Sequence, residues 1–188
     1  MISIPDLWMP IVLSAVAVFL VSSILHMALK YHRADYKRLP NEDEVLAGLR
    51  KAALPPGLYN FPYCDSMKQA TSPEMVETYR RGPVGLLTLM PNAPANMGKY
   101  LGLWFLYSVL VSVFVAYLAG RTLASGAEYL AVFRFAGAAA FMAYGVGPIV
   151  DSIWKAIPWS NTVRGIVDGL IYSLVTAGVF GWLWPGRV

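Results

Sequence analysis

Two histidines and an aspartate close to the end of the first apolar segment have the residue types of a metal site. His32 and Asp35 are three residues apart, which places them on one face of a helix. His26 lies six residues before His32 and is rotated by about 120° from it on a regular helix. Imidazole and carboxylate groups are ligands that divalent transition metals accept. The sequence therefore predicts a candidate metal set of His26, His32 and Asp35, on the condition that the helix breaks near Lys30.

A second group of polar residues falls toward the same ends of the apolar segments as His26. Histidine titrates near physiological pH, so His26, Asp151 and Asp168 could carry protons, although no series of acids continues across the segments as a pump would require. The pairs Asp151–Lys155 and Arg164–Asp168 have the spacing of ordinary ion pairs along a helix, which is the structural alternative. The predicted polar cluster is His26, Asp151, Lys155, Arg164, Asp168 and Tyr172.

The motifs of common enzymes are missing from the sequence. It has no Gly-x-Ser-x-Gly, no His-Glu-x-x-His and no glycine-rich phosphate loop. The single cysteine, Cys64, excludes an intramolecular disulfide and a Cys-x-x-Cys metal site. We therefore predict no catalytic residue and no cofactor, and the sequence favours a protein that is not an enzyme.

The elements that must position these residues are four long apolar segments. Hydrophobic residues make up 57% of the chain and charged residues 14%, against about 25% charged in soluble domains. The segments cover residues 7–29, 100–120, 129–150 and 163–184, and a helix of about 20 residues crosses about 30 Å of hydrocarbon. The predicted fold class is an all-α membrane protein, a four-transmembrane-helix bundle that forms a single membrane domain.

Basic residues are distributed unevenly between the two ends of these segments. Of the 15 Lys and Arg residues, ten lie in residues 30–99 and two more in residues 151–164, whereas Arg121 and Arg187 fall on the opposite side. Cytoplasmic loops carry such an excess, so we predict a cytoplasmic segment 30–99 and both termini outside. Because the net charge of +4 comes from these flanks, it does not indicate nucleic acid binding.

Small residues recur every four positions in three of the segments. Helices in lipid associate by close packing at such residues, so we predict a tight bundle whose partners are the lipid bilayer and either other membrane subunits or a second copy. The sets are Ser108, Ser112, Ala116 and Gly120; Ala139, Ala143 and Gly147; and Gly165, Gly169, Ser173, Ala177 and Gly181.

Residues 30–99 are predicted to form an amphipathic, proline-rich cap along the membrane surface. Asn41 followed by three acidic residues predicts a helix start. Ser72-Pro73-Glu74 predicts a second helix that ends before Gly82. The aromatic, proline-broken stretch over residues 54–63 and the apolar run over residues 83–90 are not assigned to a helix.

Several stretches carry a family resemblance: Asp151-Ser152-Ile153-Trp154-Lys155, Pro158-Trp159-Ser160-Asn161-Thr162, Asp168-Gly169-Leu170-Ile171-Tyr172 and Trp182-Leu183-Trp184-Pro185. With them the chain resembles a group of small four-helix bacterial inner-membrane proteins that has no assigned function. The resemblance implies a bacterial source and the inner membrane, and it implies no activity and no residue role.

Three functions are compatible with the sequence. The small-residue sets favour a non-enzymatic accessory or structural subunit that packs with other membrane components. The alternatives are a small oligomeric proton-linked transporter that uses His26, Asp151 and Asp168, and a membrane-interface metal-binding protein.

Overall fold

The computed structural model describes residues 2–186, which fall into two compact units. The helical unit comprises the described parts of Met1–Lys37 and Asn96–Val188, and the connecting unit is Arg38–Ala95. Arg187, one of the two basic residues on the side opposite residues 30–99, lies outside the described residues. In chain order the helices are α1 (Trp8–Ser23), α2 (Glu42–Ala52), α3 (Met67–Ala70), α4 (Pro73–Arg81), α5 (Met97–Thr122), α6 (Tyr129–Tyr144), α7 (Pro148–Lys155) and α8 (Trp159–Trp182), and the strands are β1 (Gly57–Phe61) and β2 (Gly85–Leu89).

The helical unit confirms the predicted set of four long apolar helices. Helices long and apolar enough to cross a membrane are Pro5–Ala28, Met97–Thr122, Tyr129–Lys155 and Trp159–Trp182. Helix α8 packs against α6 and α1, and α1 packs against α5. The centre of the unit holds Val18, Val115, Val132 and Phe180, each 0–1% exposed.

The small residues of α5 and α8 face the inside of this bundle. Ser108, Ser112, Ala116 and Gly120 are buried, as are Gly169, Ser173, Ala177 and Gly181, and Gly165 is half-buried. The hydroxyls of Ser14 and Ser112 join α1 to α5 at 2.9 Å. These two faces are therefore in contact with helices of the same chain.

Helix α6 buries a different face from the one that its small residues suggest. Its buried residues are Val132, Ala136, Ala140 and Tyr144. Of the predicted set, Ala139 is half-buried, Ala143 is exposed, and Gly147 is exposed and lies beyond the end of α6. The buried face carries its own pair of alanines four positions apart, so the spacing of small residues alone does not distinguish the two faces.

The third apolar helix is interrupted between α6 and α7. Gly145 and Gly147 have low helix propensity, and Pro148 lacks an N–H for the helical ladder. Helix α8 approaches closely here, because a Cβ built on Gly169 would lie 2.5 Å from the Cα of Gly145. Asp168 directly precedes Gly169 and therefore lies beside this close contact of α8 with α6.

The connecting unit contains both predicted helices and a pair of strands that the sequence analysis did not predict. Helix α2 follows Asn41, and α4 begins after Ser72, whose hydroxyl accepts a hydrogen bond from the Met75 N–H at 3.3 Å. Strands β1 and β2 pair antiparallel, with Tyr59 opposite Leu87. The strands lie in the two stretches, residues 54–63 and 83–90, that the sequence left unassigned. Five-residue strands give too short a pattern to identify, and these two pair across distant parts of the sequence.

Candidate metal centre

The first apolar helix changes from an α-helix to a π turn in the segment that contains His26. After α1 the chain makes a π turn over Ile24–Ala28 and leaves the helix at Leu29, which is extended. A 3₁₀ turn then covers Tyr31–Asp35. This break lies near Lys30, where the candidate metal set required one. Because of it, His32 folds back over His26. The two rings stack with their centroids 4.2 Å apart.

Asp168 of α8 lies at the centre of the site. Its side chain is 6% exposed, and its Oδ2 lies 2.8 Å from Nε2 of His32 and 3.6 Å from Nε2 of His26. The Tyr31 hydroxyl donates to the other carboxylate oxygen. One potential ligand atom from each of His26, His32 and Asp168 lies within 4.8 Å of the other two. We refer to these three residues as the His–Asp cluster.

A second carboxylate, that of Asp35, contacts the other ring nitrogen of His32. Oδ2 of Asp35 lies 2.6 Å from Nδ1 of His32, and Nη1 of Arg164 donates to Oδ1 of Asp35 at 2.5 Å. The side-chain amide of Asn161 donates to the backbone carbonyl of Asp35 at 3.0 Å. A carboxylate on the remote nitrogen fixes the orientation of an imidazole and raises its basicity, as is usual for metal-binding histidines.

His32 therefore faces a carboxylate from each of its two ring nitrogens. A neutral imidazole has one N–H and one lone pair, so it can donate to only one of them. If Nδ1 donates to Asp35, the lone pair on Nε2 faces Oδ2 of Asp168 at 2.8 Å, and two lone pairs repel. A proton between His32 and Asp168, carried by either group, or a metal ion between them would remove this repulsion.

The groups outside the apolar helices have pKa values that fit these contacts. Burial alone would raise the pKa of Asp35, but the hydrogen bonds from His32 and Arg164 outweigh it and hold that pKa below its usual range. Burial, together with the hydrogen bond to Asp168, raises the pKa of Tyr31. Asp35 is therefore an ionised acceptor, and Tyr31 keeps its proton and donates.

Several predicted site residues have partners in the structure other than those that the sequence predicted. Asp35 contacts the far nitrogen of His32, and Asp168 occupies the place that the candidate metal set gave to Asp35. Arg164 pairs with Asp35 and not, among the contacts of residues 2–186, with Asp168. Asp151 pairs with Lys155 at 2.7 Å, and both of these side chains are about half exposed. Tyr172 is buried one turn after Asp168.

Two members of the site were missed by the sequence analysis. Tyr31 directly precedes His32, but nothing in its type or spacing indicates that it contacts Asp168. Asn161 lies three residues before Arg164, and this spacing on one helix face is the signal by which it could have been found.

Comparisons with protein-family models, with curated proteins and with solved structures find no match to this chain. The function of the chain is therefore inferred from the geometry of the His–Asp cluster.

Proposed function

We propose that this protein is a multi-pass membrane protein that binds one first-row divalent transition metal at His26, His32 and Asp168. The observation that carries the proposal is the convergence of three ligand atoms within 4.8 Å, with Asp35 behind His32. Two imidazoles and one carboxylate leave coordination positions open, as in zinc sites that keep a water and in the facial triads of Fe(II) proteins.

A metal ion suits the cluster better than a second ring proton does. Two nitrogens, Nε2 of His32 and Nε2 of His26, face the same carboxylate oxygen at 2.8 and 3.6 Å. One metal ion would accept the lone pairs of both nitrogens, whereas a proton bonds to only one of them. Around an ion with bonds of about 2.0–2.1 Å, neighbouring ligand atoms lie about 3.0–3.4 Å apart. The distances between ligand atoms would have to change by less than about 2 Å to reach that geometry. The two stacked imidazole rings, whose planes are 19° apart, would also have to tilt so that both lone pairs point at the ion.

The proposal is tested by the metal content of the intact protein. We expect the protein, purified in mild detergent without added metal or chelator, to carry about one equivalent of zinc or iron by mass spectrometry. After chelation, we expect one equivalent of Co²⁺ to bind and to produce the visible absorption bands of a low-symmetry site. Metal-free protein that binds neither Co²⁺ nor Zn²⁺ at micromolar concentration would contradict the proposal and identify the cluster as a hydrogen-bond network.

The other two functions remain predictions. The accessory role was favoured by small-residue sets, and those of α5 and α8 contact helices of the same chain. The transporter role joined Asp151 to His26 and Asp168, but the contacts within residues 2–186 pair Asp151 with Lys155. For the transporter role the geometry supplies the contact of His26 with Asp168 at 3.6 Å but not the link to Asp151.

We also propose that the four helices span a bacterial inner membrane with the connecting unit on the cytoplasmic side and both termini outside. The support is the excess of basic residues in residues 30–99, since such an excess marks cytoplasmic loops. The inner membrane itself is implied by the family resemblance.

The single cysteine offers a direct test of this orientation. Cys64 lies in the connecting unit and is half-buried. We expect a membrane-impermeant maleimide to label Cys64 in inverted membrane vesicles and not in intact spheroplasts. The matched control combines Cys64→Ser with Ser125→Cys in the exposed loop before α6, and this variant should be labelled only in spheroplasts. The opposite pattern would reverse the proposed orientation.

A further inference from the structure

A cavity of about 500 Å³ adjoins His26, within the size range of small-molecule sites. Its walls come from the end of the first apolar helix, from the first turns of α5 and from α8. Met27, Leu101 and Trp104 make much of the wall apolar. The indole N–H of Trp104 donates to the hydroxyl of Ser22 at 2.8 Å, which fixes this side of the cavity.

A buried hydroxyl at this cavity lacks a hydrogen-bond partner. Tyr172 lines the cavity and is 4% exposed, and within the described part of the chain no group bonds to its hydroxyl. A buried donor without an acceptor is costly. The hydroxyl oxygen is closed off from solvent, so the Tyr172 ring must turn toward the cavity before an oxygen atom of a bound molecule can supply the missing acceptor.

We infer that this cavity binds the acyl chain of an anionic membrane lipid, with an oxygen of the lipid headgroup on the metal. The inference rests on the proposed metal site, because His26 belongs to both. The walls are parts of helices long enough to span a membrane, and the rim residues Met27 and Met97 are 79% and 62% exposed. In a bilayer, lipid chains are the apolar molecules that reach such an opening.

The charge near the rim favours an anionic headgroup. Lys30 follows the wall residue Met27 by three positions, and Lys99 lies between the wall residues Met97 and Tyr100. Both lysines are exposed. Basic side chains at the membrane surface attract anionic lipids, and an anionic oxygen is also a ligand that a divalent metal accepts.

The test uses the full-length protein in nanodiscs with a phosphatidylglycerol that carries a diazirine in its acyl chain. We expect cross-links on the peptides that contain residues 22–27 and 97–104. Leu101→Trp should fill the cavity and lower this labelling at least fivefold, with unchanged metal content. The matched control is Leu103→Trp, because Leu103 is exposed at a similar depth on α5 and does not line the cavity; it should label as the wild type does.

Two further measurements separate this inference from the metal proposal. Chelation of the metal should lower labelling of the wild type, and Tyr172→Phe should lower it while the metal content stays at one equivalent. Metal-loaded protein whose labelling is the same in Leu101→Trp, or the same after chelation, would overturn the lipid inference and leave the metal site standing. Protein that binds no metal would overturn both, and the metal analysis alone reports that outcome.

Discussion

Asp168→Asn is expected to abolish tight metal binding. The substitution keeps the size and shape of the side chain but removes the negative charge that faces both histidines at 2.8 and 3.6 Å. A neutral amide is a much weaker ligand than a carboxylate, and even substitutions behind a ligand commonly cost 10- to 100-fold in affinity. We therefore expect at least about a 100-fold loss, measured by Co²⁺ titration of the chelated protein and by metal content after purification.

The matched control is Asp151→Asn, which makes the same chemical change on α7. Its carboxylate is 48% exposed and pairs with Lys155, so affinity for Co²⁺ should stay within about twofold of the wild type, because an exposed ion pair contributes little. Equal affinities in Asp168→Asn and the wild type would contradict the assignment of Asp168 as a ligand. Losses in both variants would indicate a general effect on folding, which gel filtration in detergent detects.

The parts of the fold that the sequence predicted are those with a local signal. Hydropathy over about 20 residues marks a long apolar helix whatever its neighbours are, and the Ser72-Pro73-Glu74 start of α4 depends on groups within one turn. Strands β1 and β2 are stabilised by pairing between Gly57–Phe61 and Gly85–Leu89. No local pattern in either stretch reports the existence of the other.

The candidate site also combines contacts that a local sequence pattern predicts with contacts that depend on how distant helices pack. The three-residue spacing of His32 and Asp35 placed them together, and the structure has their side chains 2.6 Å apart. Asp168 and His32 are 136 positions apart in sequence, so their contact depends on how α8 packs. The sequence showed that His26 and His32 could meet only across a break in the helix, but it could not decide which carboxylate would join them.

The second large effect, a loss of thermal stability, is expected for Gly169→Ala. This substitution acts on the packing of α8 against α6. A Cβ at this position would lie 2.5 and 2.6 Å from the Cα and N of Gly145, and 2.7 Å from the backbone carbon of Tyr144. These are backbone atoms that cannot rotate away, so α8 and α6 must separate. Overpacking of this kind costs about 1–3 kcal/mol, and the better helix propensity of alanine offsets about 1 kcal/mol of that cost. We therefore expect the apparent Tm in detergent to fall by up to about 8 °C.

Gly165→Ala is the matched control one turn earlier on α8. Its Cβ would meet Pro148 at 3.6 Å, an ordinary contact, and alanine is the better helix former by about 1 kcal/mol, so its Tm should be unchanged or higher. Because Asp168 directly precedes Gly169, the separation of α8 from α6 should also weaken Co²⁺ binding in Gly169→Ala. Equal Tm values for the two variants would show that the close contact of α8 with α6 does not stabilise the bundle. A lower Tm with full Co²⁺ affinity would show that the position of Asp168 depends on its own hydrogen bonds to His32 and Tyr31 more than on this helix contact.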